Sequence, residues 1–113
     1  KYIILDAGMN NLMRPALYNA HHEIIPLKIK NKKLKGNFEF VGPVCESSDK
    51  FSKIKKISQV DEGDFVALAN VGAYGMSLSS NYNSRPMIAE IMVNGSKHKI
   101  IRKRQSLENL VNN

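Results

Sequence analysis

A chain of 113 residues is one domain's worth, long enough to bury roughly two-thirds of the surface its unfolded chain exposes around a single core. One cysteine excludes an internal disulfide, and no apolar run approaches the length of a membrane span. The net charge of +7 is the bulk property that points to a partner, since lysines crowd residues 28–35 (KIKNKKLK) and 50–56 (KFSKIKK). Those clusters contain one aromatic, Phe51, and no arginine, whereas strand-binding proteins interleave stacking rings and base readers favour arginine. A small basic nucleic-acid-binding β module is therefore the alternative to weigh, against a plainer reading as solvated lysine-rich loops.

In chain order, YIILD (2–6) reads as a short buried strand closed by Ala7-Gly8. Asn10 and Asn11 are candidate caps for a helical stretch LMRPALYNA (12–20), where Pro15 stands early enough to be tolerated. Arg14 and Tyr18, four residues apart, would then share a helix face. EIIPLKI (23–29) is β-like, with Pro26 confining it to a sheet edge or bulge, and Lys30–Gly36 follows as a loop. FEFVGPV (38–44) alternates into a strand that would deliver Cys45 at its end. Residues 46–60 show no apolar period, and Glu62-Gly63-Asp64 turns the chain into FVALANV, the most hydrophobic strand expected. Gly72 and Gly75 bracket Ala73-Tyr74, and a short helical turn follows through Met76 and Leu78. Residues 81–86 (NYNSRP) are a loop by composition, with Arg85 as its anchor. MIAEIMV and KHKIIRKR, joined by Asn94-Gly95-Ser96 with its Asn-Gly hairpin signal, form a hairpin, and Ser106 caps a closing helix. The sum is a mainly β, single-domain chain with short helices, a sandwich or Greek-key-like barrel of about six or seven strands.

Few of these residues can carry chemistry alone. GAYG (72–75) is neither a Walker loop nor a dinucleotide turn, and His21, His22 and His98 with one cysteine do not complete a metal site. Arg14 offers a planar, permanent cation for a carboxylate or phosphate, with Tyr18 as a neighbouring hydroxyl. Cys45-Glu46 pairs a proton donor with an anion able to grip an ammonium group, in a polar run unlike the setting of a packing cysteine. Tyr74 lies close to two glycines, where a backbone can approach a ligand. Together they suit a zwitterionic, amino-acid-like ligand.

The blocks DAGMNNLMRPALYNAHHEI (6–24), VGPVCESSD (41–49) and VGAYGMSLSSNYNSRP (71–86) resemble the diaminopimelate decarboxylases, a family of fold-type III pyridoxal-phosphate-dependent decarboxylases. The resemblance covers only that family's C-terminal β-domain, which follows a cofactor-binding (β/α)8 barrel in a cytoplasmic, head-to-tail homodimer with shared active sites. It implies conversion of meso-diaminopimelate to L-lysine and CO2, in lysine biosynthesis, with the cofactor as electron sink. By the same resemblance Arg14 and Tyr18 hold the distal carboxylate and Glu46 the distal amine. Cys45 returns the proton, and Tyr74 lies near substrate and cofactor phosphate. Cys45 and Glu46 would reach into the neighbouring subunit's barrel. Ornithine-type relatives carry Asp where this chain has Glu46 and lack the MRPALY block. The barrel, with its Schiff-base lysine, is expected upstream of Lys1, and the 113-residue piece by itself is expected to be inactive.

Overall fold

The computed structural model describes residues 1–112. Its frame is a three-stranded sheet in which β1 (Tyr2–Ile4) runs parallel to β3 (Lys33–Val41), and β3 pairs antiparallel with β4 (Lys50–Ser58). Register is fixed by apolar partners: Ile3 lies beside Phe40, Phe38 beside Ile54 and Leu34 beside Ile57. The β3–β4 ladder is irregular between Lys35 and Phe38, where Gly36 takes φ +136°, a conformation open to glycine and strained for other residues.

Two smaller ladders complete the β-structure. β2 (Ile24–Pro26) pairs antiparallel with β5 (Val66–Leu68), and Pro26 sits at the end of this two-stranded edge, where its missing N–H costs no ladder bond. β6 (Glu90–Asn94) and β7 (Lys97–Arg102) form the expected hairpin. Its two turn residues are Gly95 and Ser96, and Gly95 at φ +58° in first place is the arrangement a type II′ turn requires. The helices are short: α1 (Arg14–Tyr18), α2 (Gly72–Ser77) and α3 (Leu107–Val111). Ser106 caps α3 as the sequence suggests, its Oγ accepting the Asn109 N–H at 3.1 Å. None of these helices is long and apolar enough to cross a membrane.

The core lies between the three-stranded sheet and the β2–β5 pair. Phe40 is wholly enclosed, and Phe51 and Ile57 from β4 meet Ile24 of β2 and Leu12 of the loop before α1. Ile3, Leu34, Ile54, Val66 and Leu68 close over this cluster. Mainly β architecture with seven strands is as expected, but the described ladders are open and do not join into one closed barrel.

Four expectations need correction. β1 is not a buried strand: Tyr2 and Ile4 face outward, 69% and 71% exposed, and only Ile3 packs against the core. Residues 50–58 form a nine-residue strand although no period was legible there, because the apolar positions 51, 54 and 57 stand three apart and the register shifts opposite Phe40–Val41. The stretch Lys30–Gly36 is a loop only at its start, since β3 begins at Lys33, so both lysine clusters contribute to adjacent strands and not to two loops. Asn10 and Asn11 do not cap α1. Met13 holds that position without a side-chain bond, Asn11 Oδ1 accepts the Gly8 N–H at 3.0 Å, and Asn10 is fully buried.

Candidate functional site

Cys45 emerges from a turn built by one buried carboxylate. β3 ends at Val41 because Gly42-Pro43 leaves the ladder, so the thiol stands four residues beyond the strand and not at its last position. Asp49, 3% exposed, accepts the N–H of Val44 at 2.7 Å and, from across the fold, the N–H of Met9 at 2.7 Å. Its own backbone carbonyl accepts the Gly42 N–H at 2.9 Å. Gly42 packs so tightly on this group that an added Cβ would overlap the carboxylate. Val44 is buried against Gly8, where a Cβ would approach its Cγ2 to 2.8 Å. With Val44 turned inward and the backbone pinned at 42, 44 and 49, Cys45 is left exposed at the outer side of the turn.

Glu46 follows, half-buried, with its carboxylate collecting donors. Oε1 accepts the Ser48 N–H and the Ser47 hydroxyl, each at 3.4 Å, and Oε2 accepts the Tyr82 hydroxyl at 3.3 Å. The Ser48 backbone and side chain, then Tyr82, hold its carboxyl below the usual carboxylate range. The Tyr82 phenol is pushed up in return, mainly by the facing Glu46 charge and the bond to it, with a smaller contribution from Cys45. Tyr82 was not singled out from the sequence, where it sits in a stretch readable only as loop.

The other three predicted residues form a second group. α1 opens at Arg14, and its guanidinium carbon lies 5.9 Å from the centre of the Tyr74 ring, within cation–π reach. Tyr74 stands in α2 and is 64% exposed. Asn70 and Gly72, at φ +58° and +56°, bend the chain into that helix. Tyr18 ends α1 one turn after Arg14, as the four-residue spacing requires, and is 63% exposed. Among the described residues, no hydrogen bond or ion pair links the Arg14–Tyr74–Tyr18 group to the Cys45–Glu46–Tyr82 group. Arg85 is the expected anchor: its Nη2 donates to the Asp6 carbonyl at 2.6 Å. Among the described residues no cluster of three or more potential metal ligands occurs.

The arrangement offers, on an open surface, a planar cation beside two phenols and, separately, a thiol beside an ionised carboxylate. That set fits a ligand bearing carboxylates and ammonium groups.

Residues 1–72 match the protein family described as "Pyridoxal-dependent decarboxylase, C-terminal sheet domain". The chain is 47% identical over 111 residues to a diaminopimelate decarboxylase of Zymomonas mobilis, a match covering 98% of this chain and 26% of that protein. Among solved structures, a diaminopimelate decarboxylase from M. jannaschii superposes with a TM-score of 0.91 at 39% identity, covering 98% of this chain and 25% of that one. One from Helicobacter pylori, complexed with L-lysine, superposes with a TM-score of 0.88 at 43% identity, covering 98% and 27%. The chain thus spans about a quarter of the length of the relatives it matches.

Proposed function

Because this chain belongs to the pyridoxal-dependent decarboxylases as their C-terminal sheet domain, we propose that it serves a diaminopimelate decarboxylase, converting meso-2,6-diaminopimelate to L-lysine and CO2. The observation that carries the reading is the pair of groups, a half-buried cation with two exposed phenols and an exposed thiol with a half-buried carboxylate, on a chain 47% identical to such an enzyme. The lysine seated in the H. pylori relative is this reaction's product, which supports the same substrate class.

The roles are those the family resemblance implies for these positions, and the chemistry of each side chain supports them. Arg14 grips the distal carboxylate of the substrate through two parallel N–H bonds, and Tyr18 adds a hydroxyl to it. Glu46, kept ionised by its donors, holds the distal ammonium. An ornithine-like substrate has no distal carboxylate for Arg14, so these residues select the longer zwitterion. Pyridoxal phosphate, when bound, would supply the electron sink that makes loss of the carboxylate feasible, and Tyr74 is the residue of this chain that would help hold its phosphate. The Cys45 Sγ–H gives the proton that replaces CO2 on the substrate carbon, leaving a thiolate that solvent reprotonates.

The two groups act in different active sites of a cytoplasmic homodimer. Arg14, Tyr18 and Tyr74 complete the site of their own subunit's barrel, while Cys45 and Glu46 complete the partner's. The cofactor lysine resides in that barrel, so the 113-residue chain alone is inactive. The lysine clusters give a basic sheet but no aromatic platform, and the relatives named above are decarboxylases, which favours the catalytic reading over nucleic-acid binding. The test is lysine and CO2 release from meso-diaminopimelate by the complete, cofactor-loaded polypeptide. A folded, loaded protein that releases neither refutes the reading.

A further inference from the structure

We propose that Tyr82 is a positioning residue that aims the Glu46 carboxylate at the substrate's distal ammonium group. This rests on the role given to Glu46 above and adds to it a residue outside the set read from the sequence.

The segment that carries Tyr82 is braced at both ends by bonds that do not involve its ring. The Ser80 N–H donates to the Asn10 carbonyl at 2.9 Å, and the Arg85 guanidinium donates to the Asp6 carbonyl at 2.6 Å. Asn81 Nδ2 donates to the Arg85 carbonyl at 2.9 Å and to Gln105 Oε1 at 2.6 Å. Residues 80–85 therefore form a strap tied to the loop before α1 and to the chain after the β6–β7 hairpin. Next to Tyr82, Asn83 and Ser84 take φ +58° and +54°, two consecutive left-handed residues of which neither is glycine. Such strain persists where the surrounding bonds over-determine it, and it gathers at sites where a side chain must be delivered to one place.

The place is Glu46. The Tyr82 ring is 46% exposed, so burial does not account for its position, and its hydroxyl reaches a carboxylate 36 residues away in sequence. Among the described residues, Oε1 of Glu46 meets only donors from its own turn, at 3.4 Å, and Oε2 accepts only from the Tyr82 hydroxyl. A carboxylate held at both oxygens keeps its remaining lone pairs in a fixed direction, which an incoming ammonium can use without first ordering a free side chain. The hydroxyl also favours the ionised form that the ammonium needs. The Cys45 thiol stands beside Glu46, so the strap sets a recognition group next to the proposed proton donor.

The experiment uses the complete, cofactor-loaded enzyme with meso-diaminopimelate as substrate and compares Tyr82→Phe, Glu46→Ala and the double variant. Tyr82→Phe keeps the ring and removes one hydroxyl on the surface, so the fold is retained. The expected result is a KM raised about tenfold with kcat within about threefold, because one bond to a charged group is lost from binding and none from the proton-transfer step. The acid limb of kcat/KM moves to higher pH as Glu46 loses a donor. In the Glu46→Ala background, Tyr82→Phe adds nothing further. A normal KM in Tyr82→Phe alongside a raised KM in Glu46→Ala overturns the inference and leaves the proposed function standing. Additive effects in the double variant also overturn it, since Tyr82 would then act apart from Glu46. A normal KM in Glu46→Ala overturns both.

Discussion

Replacing Asp49 by Asn tests whether one buried carboxylate holds the Cys45–Glu46 turn. Its two oxygens accept the Met9 and Val44 N–H groups, each at 2.7 Å, inside a pocket that leaves the residue 3% exposed. An amide has a single acceptor oxygen, so one N–H would keep a neutral bond while the other faced an NH2 donor. Bonds to a charged group contribute about 1.5–3 kcal/mol net, against about 1 kcal/mol for a neutral one, and the opposed donors add a desolvation cost. A loss of about 2 kcal/mol for local opening is expected, which is roughly a 30-fold rise in the open population. Hydrogen exchange read by mass spectrometry on peptides spanning residues 5–12 and 41–50 measures it. Exchange there should accelerate while peptides from β6 and β7 keep their rates. Unchanged exchange at Met9 and Val44 would refute the claim that Asp49 pins the turn.

Arg14→Lys keeps the charge and removes the planar fork, so KM for meso-diaminopimelate should rise by roughly 10- to 100-fold in steady-state assays. Cys45→Ala should lower kcat by about 10²–10⁴-fold with little change in KM, as expected for a lost proton donor, and equal kcat values would remove that role. A fourth prediction concerns the ion cluster in which Lys30 bonds both Asp61 and Asp64. Lys30 holds both carboxyls below the usual carboxylate range, and Asp61, then Asp64, raise the Lys30 ammonium above 10.5. The carboxylates' contribution is therefore present above the ordinary carboxylate range and lost as pH falls through their lowered values. That of Lys30 is present below 10.5 and lost as pH rises through its raised value. In Lys30→Met the acid-side fall of the urea midpoint should flatten, as followed by circular dichroism between neutral and acidic pH.

What could be read from the chain alone depended on how local its cause was. The β6–β7 hairpin, the Ser106 cap and the helical spacing of Arg14 and Tyr18 are set by neighbours within a few residues, and each forms as expected, although the hairpin turns at Gly95-Ser96, one residue after the Asn-Gly pair that signals it. Strand β4 is set by its partner β3: lysines fill its exposed positions, and its apolar residues stand three apart, so it shows no period until Phe38 and Leu34 lie beside it. Cys45 and Glu46 stood out through their polar surroundings. Asp49 and Tyr82, which shape and aim that turn, act across 40 and 36 residues, a distance no local pattern reports.

Mixing two defective subunits shows whether the two groups of one chain serve different active sites. If the Arg14 group and the Cys45 group of one chain serve different active sites, Arg14→Ala and Cys45→Ala homodimers are each nearly inactive, yet their hybrids contain one intact site. Co-refolding equal amounts should recover about a quarter of wild-type lysine release, from half the dimers carrying one working site of two. Activity that stays at the level of the parent variants after verified subunit exchange would contradict the account.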